Sequence, residues 1–155
     1  MPNLFVTYPG FRLTSPLYYF QLIGHALGHR DWTHLFSNFS VILLVGPILE
    51  EKYGSGNLIK MMLITALITG LLNSALFTTG LVGASGLAFL MILLASFTNH
   101  REGELPMTFL LVLVLFLARE VVQAFSKDDI SQFAHILGGV LGSLFGFFRG
   151  PKHSR

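Results

Sequence analysis

Five stretches of the chain are apolar almost throughout, and each is closed off by glycine, proline or charge. They cover residues 34–49, 57–79, 85–98, 106–125 and 131–148. A helix needs about 20 apolar residues to cross the hydrocarbon core of a bilayer. The second and fourth stretches meet that length, whereas the third has only 14 residues. The third also opens on Ser85-Gly86, which predicts a helix whose N-terminus is submerged among its neighbours. There, protein rather than lipid can satisfy the backbone. The connections are short: Gly54-Ser55-Gly56, Thr79-Gly80-Leu81-Val82-Gly83, Asn99 to Leu105, and Ser126-Lys127-Asp128-Asp129. Short connections make successive helices antiparallel neighbours. The pattern predicts an all-α membrane protein, a polytopic helical bundle with about five transmembrane helices. Residues 1–33 read as an outer-side N-terminal segment and loop, 34–148 as the transmembrane core, and 149–155 as a basic cytoplasmic tail. Pro47, inside the first stretch, is expected to bend it.

Composition supports the membrane reading. Of 155 residues, 52% are hydrophobic and only 12% charged, with a mean hydropathy of +0.65. Soluble domains carry about twice that charged fraction. The absence of cysteine excludes disulfides and thiolate chemistry. A net charge of +2 is too small for nucleic-acid binding and suits loop charges that orient a membrane protein. Residues 1–24 hold three prolines and no basic stretch ahead of an apolar run, so no cleavable signal peptide is expected. Lys52, Lys60, Arg101, Arg149, Lys152 and Arg155 fall on one side of the membrane, and Arg12, Arg30 and Lys127 on the other. Positive charge collects inside, so the C-terminus is expected in the cytoplasm and the N-terminal segment outside. Arg119, near the end of the fourth span, can snorkel toward the surface. Tyr18, Tyr19, Phe20 and Trp32 read as an interfacial aromatic belt.

This topology has a chemical consequence. Spans one, three and five all start on the outer side and run inward in parallel. Their opening turns carry His34 and Asn38, then Ser85, then His135. Polar groups inside a span are costly and tend to be functional, and here three spans place them at one depth.

Ser85 stands in Gly83-Ala84-Ser85-Gly86, just before a helix. The glycines allow a tight turn, and the helix N-terminus offers unpaired N–H groups and a positive dipole end to a developing oxyanion. A serine at that place is more often a simple helix cap. His135 is followed by Gly138, Gly142 and Gly146, a small-residue face that lets a neighbouring backbone approach. That face can serve packing alone; it also presses His135 toward its partner helix. If the partner is the third span, the imidazole can reach the Ser85 hydroxyl and act as its base. No acidic residue lies at that depth, which implies a dyad rather than a triad. His34 and Asn38 share one helix face and can form an oxyanion hole with the Ser85 N–H; alone they would pass as polar residues facing interfacial water. His25 and His29, at i and i+4, could bind zinc, but the HExxH pattern is absent, and no metal or cofactor is expected.

Taken together these residues closely resemble the rhomboid family of intramembrane serine proteases. The matching pieces are His25, His29, His34 and Asn38; Gly46-x-x-x-Glu50-x-x-x-Gly54; Gly83-Ala84-Ser85-Gly86; and Ala134-His135-x-x-Gly138-x-x-x-Gly142. They extend from residue 18 to about 148. The resemblance implies a bundle around a water-filled catalytic cavity open to the outer side, with 34–148 as the catalytic core. It implies cleavage of transmembrane protein substrates by Ser85 and His135, with His34 and Asn38 holding the oxyanion. Glu50 and Gly54 would close the turn to the second helix, and the fourth span would be a mobile gate. The expected setting is the plasma membrane of a prokaryote. Two features depart from the family pattern: it normally has a further span ahead of these five, and Phe20-Gln21 stand where a Trp-Arg pair is usual. A catalytically inactive relative that binds membrane clients is the alternative, although such relatives usually lack the serine or the histidine. A small transporter or channel would string its charges through the bilayer, whereas here Arg119 and Glu120 are the only charges well inside a span.

Overall fold

Ser15-Pro16 starts a helix that the long apolar stretches do not announce. Proline at the first helical position has its ring torsion preset and no N–H to satisfy, and helix α1 runs over Pro16–Gly24. A 3-10 turn, His25–Leu27, follows it. The computed structural model describes residues 4–98, 107–123 and 129–148. Arg101, Lys127 and the basic tail 149–155 lie outside the described residues, as do the side chains of Arg119 and Glu120.

The five apolar stretches are the five long helices: α2, Trp32–Tyr53; α3, Ser55–Leu76; α4, Ser85–Ala95; α5, Met107–Gln123; and α6, Asp129–Phe148. At 22 residues each, α2 and α3 are long enough to cross a bilayer. α2 begins two residues before its apolar stretch because Asp31 caps it, accepting from the His34 N–H at 2.8 Å. The helix continues through Pro47. It stops at Gly54, whose φ of +80° suits glycine and whose N–H donates to the Glu50 carbonyl at 2.8 Å. Ser55 Oγ then donates to Glu50 Oε1 at 2.5 Å, so Glu50 holds the first turn of α3.

α4 is the axle of the bundle. Its residues 86–91, 93 and 94 are all buried, from Gly86 to Leu94, as expected for a short helix apolar on every side. α6 packs along its length, α2 along another face, and α3 along a third. The register shows the directions. Gly86 and Leu90 of α4, and Phe97 just beyond its end, meet Gly138, Gly142 and Gly146 of α6 in that order, so the two helices are parallel. On the other face His34 meets Gly83 and Gly46 meets Met91, so α2 runs the same way. α3 is antiparallel to them: Phe77, which caps its end, packs on Phe133 near the start of α6 with ring centres 4.7 Å apart and planes tilted by 45°. Apolar side chains are exposed along α2 and α5, among them Phe36, Leu43, Leu44 and Ile48 of α2 and Leu111, Val114 and Leu115 of α5. In a lipid environment that is the favoured face.

α1 lies along the C-terminal half of α3, its Leu22 carbonyl against Gly70. This corrects the reading of Tyr18 as an interfacial residue: Tyr18 is 1% exposed and packed inward, while Tyr19, Phe20 and Trp32 are exposed. His25, in the turn after α1 and outside the spanning helices, donates from Nε2 to the Ala66 carbonyl at 3.1 Å. Its own carbonyl accepts from the Gly83 N–H at 2.9 Å. Ala66 is ten residues from the end of α3. His25 therefore ties the start of α4 to the middle of α3, roughly 15 Å of helix from its end at 1.5 Å per residue. The submerged N-terminus expected of α4 is present.

Burial lowers the His25 pKa below its ordinary value, against the raising effect of the Ala66 and Gly83 backbone. The unfolded chain takes up this proton near pH 6.5 and the folded chain only at lower pH. Stability linked to neutral His25 is thus complete above that pH and falls away as the pH drops through the folded value. Thermal unfolding in detergent between pH 7.5 and 5 is expected to show a falling midpoint, with a shallower fall in His25→Gln. A second expectation concerns the helix contact. Gly142→Val, which sets a branched side chain against the Leu90 carbonyl, should lower stability by about 1–3 kcal/mol. Gly56→Ala, where an added Cβ meets nothing within 4 Å, should leave the midpoint unchanged or raised.

Candidate active site

Ser85 is the first residue of α4 and not its cap: that position belongs to Ala84, and no side chain caps the helix. The simple capping role weighed from the sequence is therefore absent, and the half-buried hydroxyl stands beside the unpaired N–H groups of a helix start. Gly83 makes the turn possible for two separate reasons. Its φ of +128° is one that side chains rarely adopt. In addition, a Cβ there would stand 2.5 Å from His34 Cε1, so the His34 ring occupies the space that glycine leaves.

α6 delivers His135. Added side-chain carbons at Gly138 and Gly142 would collide with the carbonyls of Gly86 and Leu90, so the two backbones touch. One turn earlier the Ala134 carbonyl is 3.0 Å from where a Cβ on Gly86 would be. His135, 6% exposed, lays its ring against Phe89 with centres 4.3 Å apart and planes inclined by 34°. Phe89 is four residues after Ser85 and thus on the same helix face. Ser85 and His135 consequently stand on adjoining parts of the α4–α6 contact. Phe89 is a site residue that the sequence reading missed; its place one turn after the serine was the available signal.

α2 supplies the third side. His34 is held at its backbone by Asp31 and covers Gly83 with its ring. Asn38, one turn on, is 6% exposed and its Nδ2 has no hydrogen-bond partner. A buried amide donor without an acceptor costs about 1–3 kcal/mol, and such a group is explained if an acceptor arrives with a ligand. His29 touches His34 edge-on at 5.2 Å and Phe39 at 6.0 Å, and neither of its ring nitrogens has a hydrogen-bond partner. His25 is turned away toward Ala66, so the three histidines do not converge. Among the described residues no group of three His, Cys, Asp or Glu is arranged to hold a metal ion.

Ser85, His135, His34 and Asn38 thus stand in the opening turns of three parallel helices, with His34 against Gly83 and His135 against Phe89. Glu50 and Gly54 lie at the opposite end of α2, where they close the turn into α3. Gly86 and Gly138 form the contact that sets α4 and α6 side by side.

Comparison with known proteins identifies the family. The family profile for the rhomboid domain matches residues 16–152. The rhomboid protease GlpG of Haemophilus influenzae is 25% identical over 130 residues, which cover 82% of this chain and 68% of that protein. The match starts at Pro16, where α1 begins, and takes in every helix that builds the site. The chain belongs to the rhomboid family.

Proposed function

We propose that the protein is an intramembrane serine endopeptidase that cleaves transmembrane protein substrates with a Ser85–His135 dyad. The observation that carries this reading is the α4–α6 contact. It brings the helix that starts at the half-buried Ser85 against the helix that carries the buried His135, whose ring packs on Phe89 one turn after the serine. The unpartnered Asn38 amide on α2 supports the same reading. Membership of a family whose relative in Haemophilus influenzae is named a protease supports the same chemistry.

In this mechanism His135 takes the Ser85 proton as Oγ attacks the scissile carbonyl. The carbonyl oxygen becomes an oxyanion and accepts from Asn38 Nδ2, the Ser85 N–H and the His34 ring. Collapse of the intermediate expels the amine, which recovers the proton from His135. Water then repeats the sequence on the acyl-enzyme, and no cofactor or metal takes part. With no carboxylate at hand, packing on Phe89 holds the imidazole. The tilted ring contact does the orienting that an aspartate does in a triad.

Residues 34–148 form the catalytic core in this reading, with 1–33 outside and 149–155 in the cytoplasm of a prokaryotic cell. The active site faces the outer side of a multi-pass protein, and substrates reach it past α5. The submerged start of α4 brings water-dependent chemistry below the membrane surface. Only a substrate whose helix unwinds locally can present a carbonyl there.

A fluorophosphonate probe applied to the protein in detergent tests the site. Wild type is expected to label at Ser85, whereas Ser85→Ala and His135→Ala should not label while retaining the wild-type unfolding midpoint. Asn38→Ala should label roughly 100-fold more slowly, the usual scale for losing one oxyanion donor. Equal labelling of wild type and Ser85→Ala, or none of a folded wild type, would overturn the proposal in favour of an inactive client-binding protein.

A further inference from the structure

The segment ahead of α1 is wired into the connection between α3 and α4. Thr7 and Leu81 exchange two backbone hydrogen bonds, Thr7 N–H to Leu81 O at 3.0 Å and Leu81 N–H to Thr7 O at 2.9 Å. The Thr7 hydroxyl donates to the Gln21 carbonyl of α1 at 2.5 Å. Both Thr7 and Leu81 are buried. Asn73 of α3 clasps the two sides together, its Nδ2 lying 3.3 Å from the Thr7 carbonyl and 3.3 Å from the Thr79 carbonyl. Gly10 N–H donates to the Ser74 carbonyl at 2.9 Å, and Ser74 Oγ to the Tyr8 carbonyl at 3.4 Å. Val6 lies over Gly80, and Phe5 over Gly28 beside Val82.

These contacts converge on residues 79–83, which carry no helix of their own and contain two glycines. Such a linker has wide backbone freedom unless it is held from the side. Its far end is Gly83, pinned by its N–H to the His25 carbonyl at 2.9 Å and covered by the His34 ring. Two residues later stands Ser85. The path of Leu81 to Gly83 thus sets where the serine starts α4 and where His34 rests, and Thr7 is the buried residue that fastens that path to α1 and α3. A displacement of about 1 Å at a reacting group can cost on the order of 100-fold in rate.

We infer that Thr7 is a positioning residue, fastening the 79–83 linker through Leu81 and Asn73 so that Ser85 and His34 are held in register; this rests on reading Ser85 as the nucleophile. Thr7 touches no substrate and acts only through the linker. The reach of the N-terminal segment into the site is separate from the dyad and from the oxyanion donors.

Two readouts on the full chain in detergent test it, using Thr7→Val, Asn73→Leu and the conservative Thr7→Ser. Amide hydrogen exchange across 79–83 is expected to quicken about 10-fold in Thr7→Val and Asn73→Leu, with the middle of α3 unchanged. Fluorophosphonate labelling per folded molecule should slow about 10-fold in the same two variants. The pH dependence of labelling should stay as in wild type because His135 is untouched, and Thr7→Ser should recover the rate. Should Thr7→Val fail to fold, Asn73→Leu carries the same comparison. Wild-type labelling with unchanged rates and exchange in the variants would overturn the positioning role and leave the protease reading intact. A folded wild type that does not label at all overturns both, whatever the exchange shows.

Discussion

Everything at the candidate site depends on how closely α6 lies against α4. Lipid offers apolar side chains as much contact as protein does, so helices in a bilayer are held mainly by close packing and by hydrogen bonds. Gly138 and Gly142 remove the side chains that would separate the two backbones, and the carbonyls of Gly86 and Leu90 fill the space. That contact fixes both the distance and the rotation of α6. With Gly138 on Gly86, the preceding turn must carry Ala134 to Gly86 and the His135 ring to Phe89. The same α4 surface therefore receives the glycine face and the histidine. A slip of one turn would take the imidazole off Phe89.

The polar residues are the costly part of the arrangement, and the bundle carries them in a consistent way. α4 starts among neighbouring elements, with Gly83, Ala84 and Gly86 buried and the Gly83 N–H bonded to the His25 carbonyl. Asn38 keeps an amide donor buried and unpartnered. Gly83 holds a backbone conformation that most residues avoid. Strain and unmet hydrogen bonds persist only where surrounding structure imposes them. Here α2, α6, the His25 turn and the N-terminal segment all impose on the same few residues.

Much of this was legible in the sequence because helices turn linear spacing into surface geometry. Glycines four apart beside His135 announced a close helix contact, and His34 with Asn38 announced a shared face. The short third stretch announced a submerged helix start, and the five apolar stretches became five helices with ends shifted by a few residues. What escaped notice depended on local or backbone signals. α1 is short, and its markers, Pro16 at the start and Gly24 at the end, are easily passed over in a segment read as loop. Tyr18 looked interfacial because aromatic residues cluster there, yet its place on α1 turns it inward. The pairing of Thr7 with Leu81 leaves almost no trace in side-chain pattern, since backbone groups make it. Ser85 could not be told from a cap until Ala84 was seen to hold that position.

The most direct measurement of the central claim is cleavage of a single-span reporter reconstituted with the protein in liposomes, with the fragment masses read by mass spectrometry. The account predicts a cut within the reporter's span toward its outer end, abolished by Ser85→Ala and by His135→Ala. A reporter left intact by wild type whose Ser85 binds the probe, or one still cut by Ser85→Ala, would contradict it.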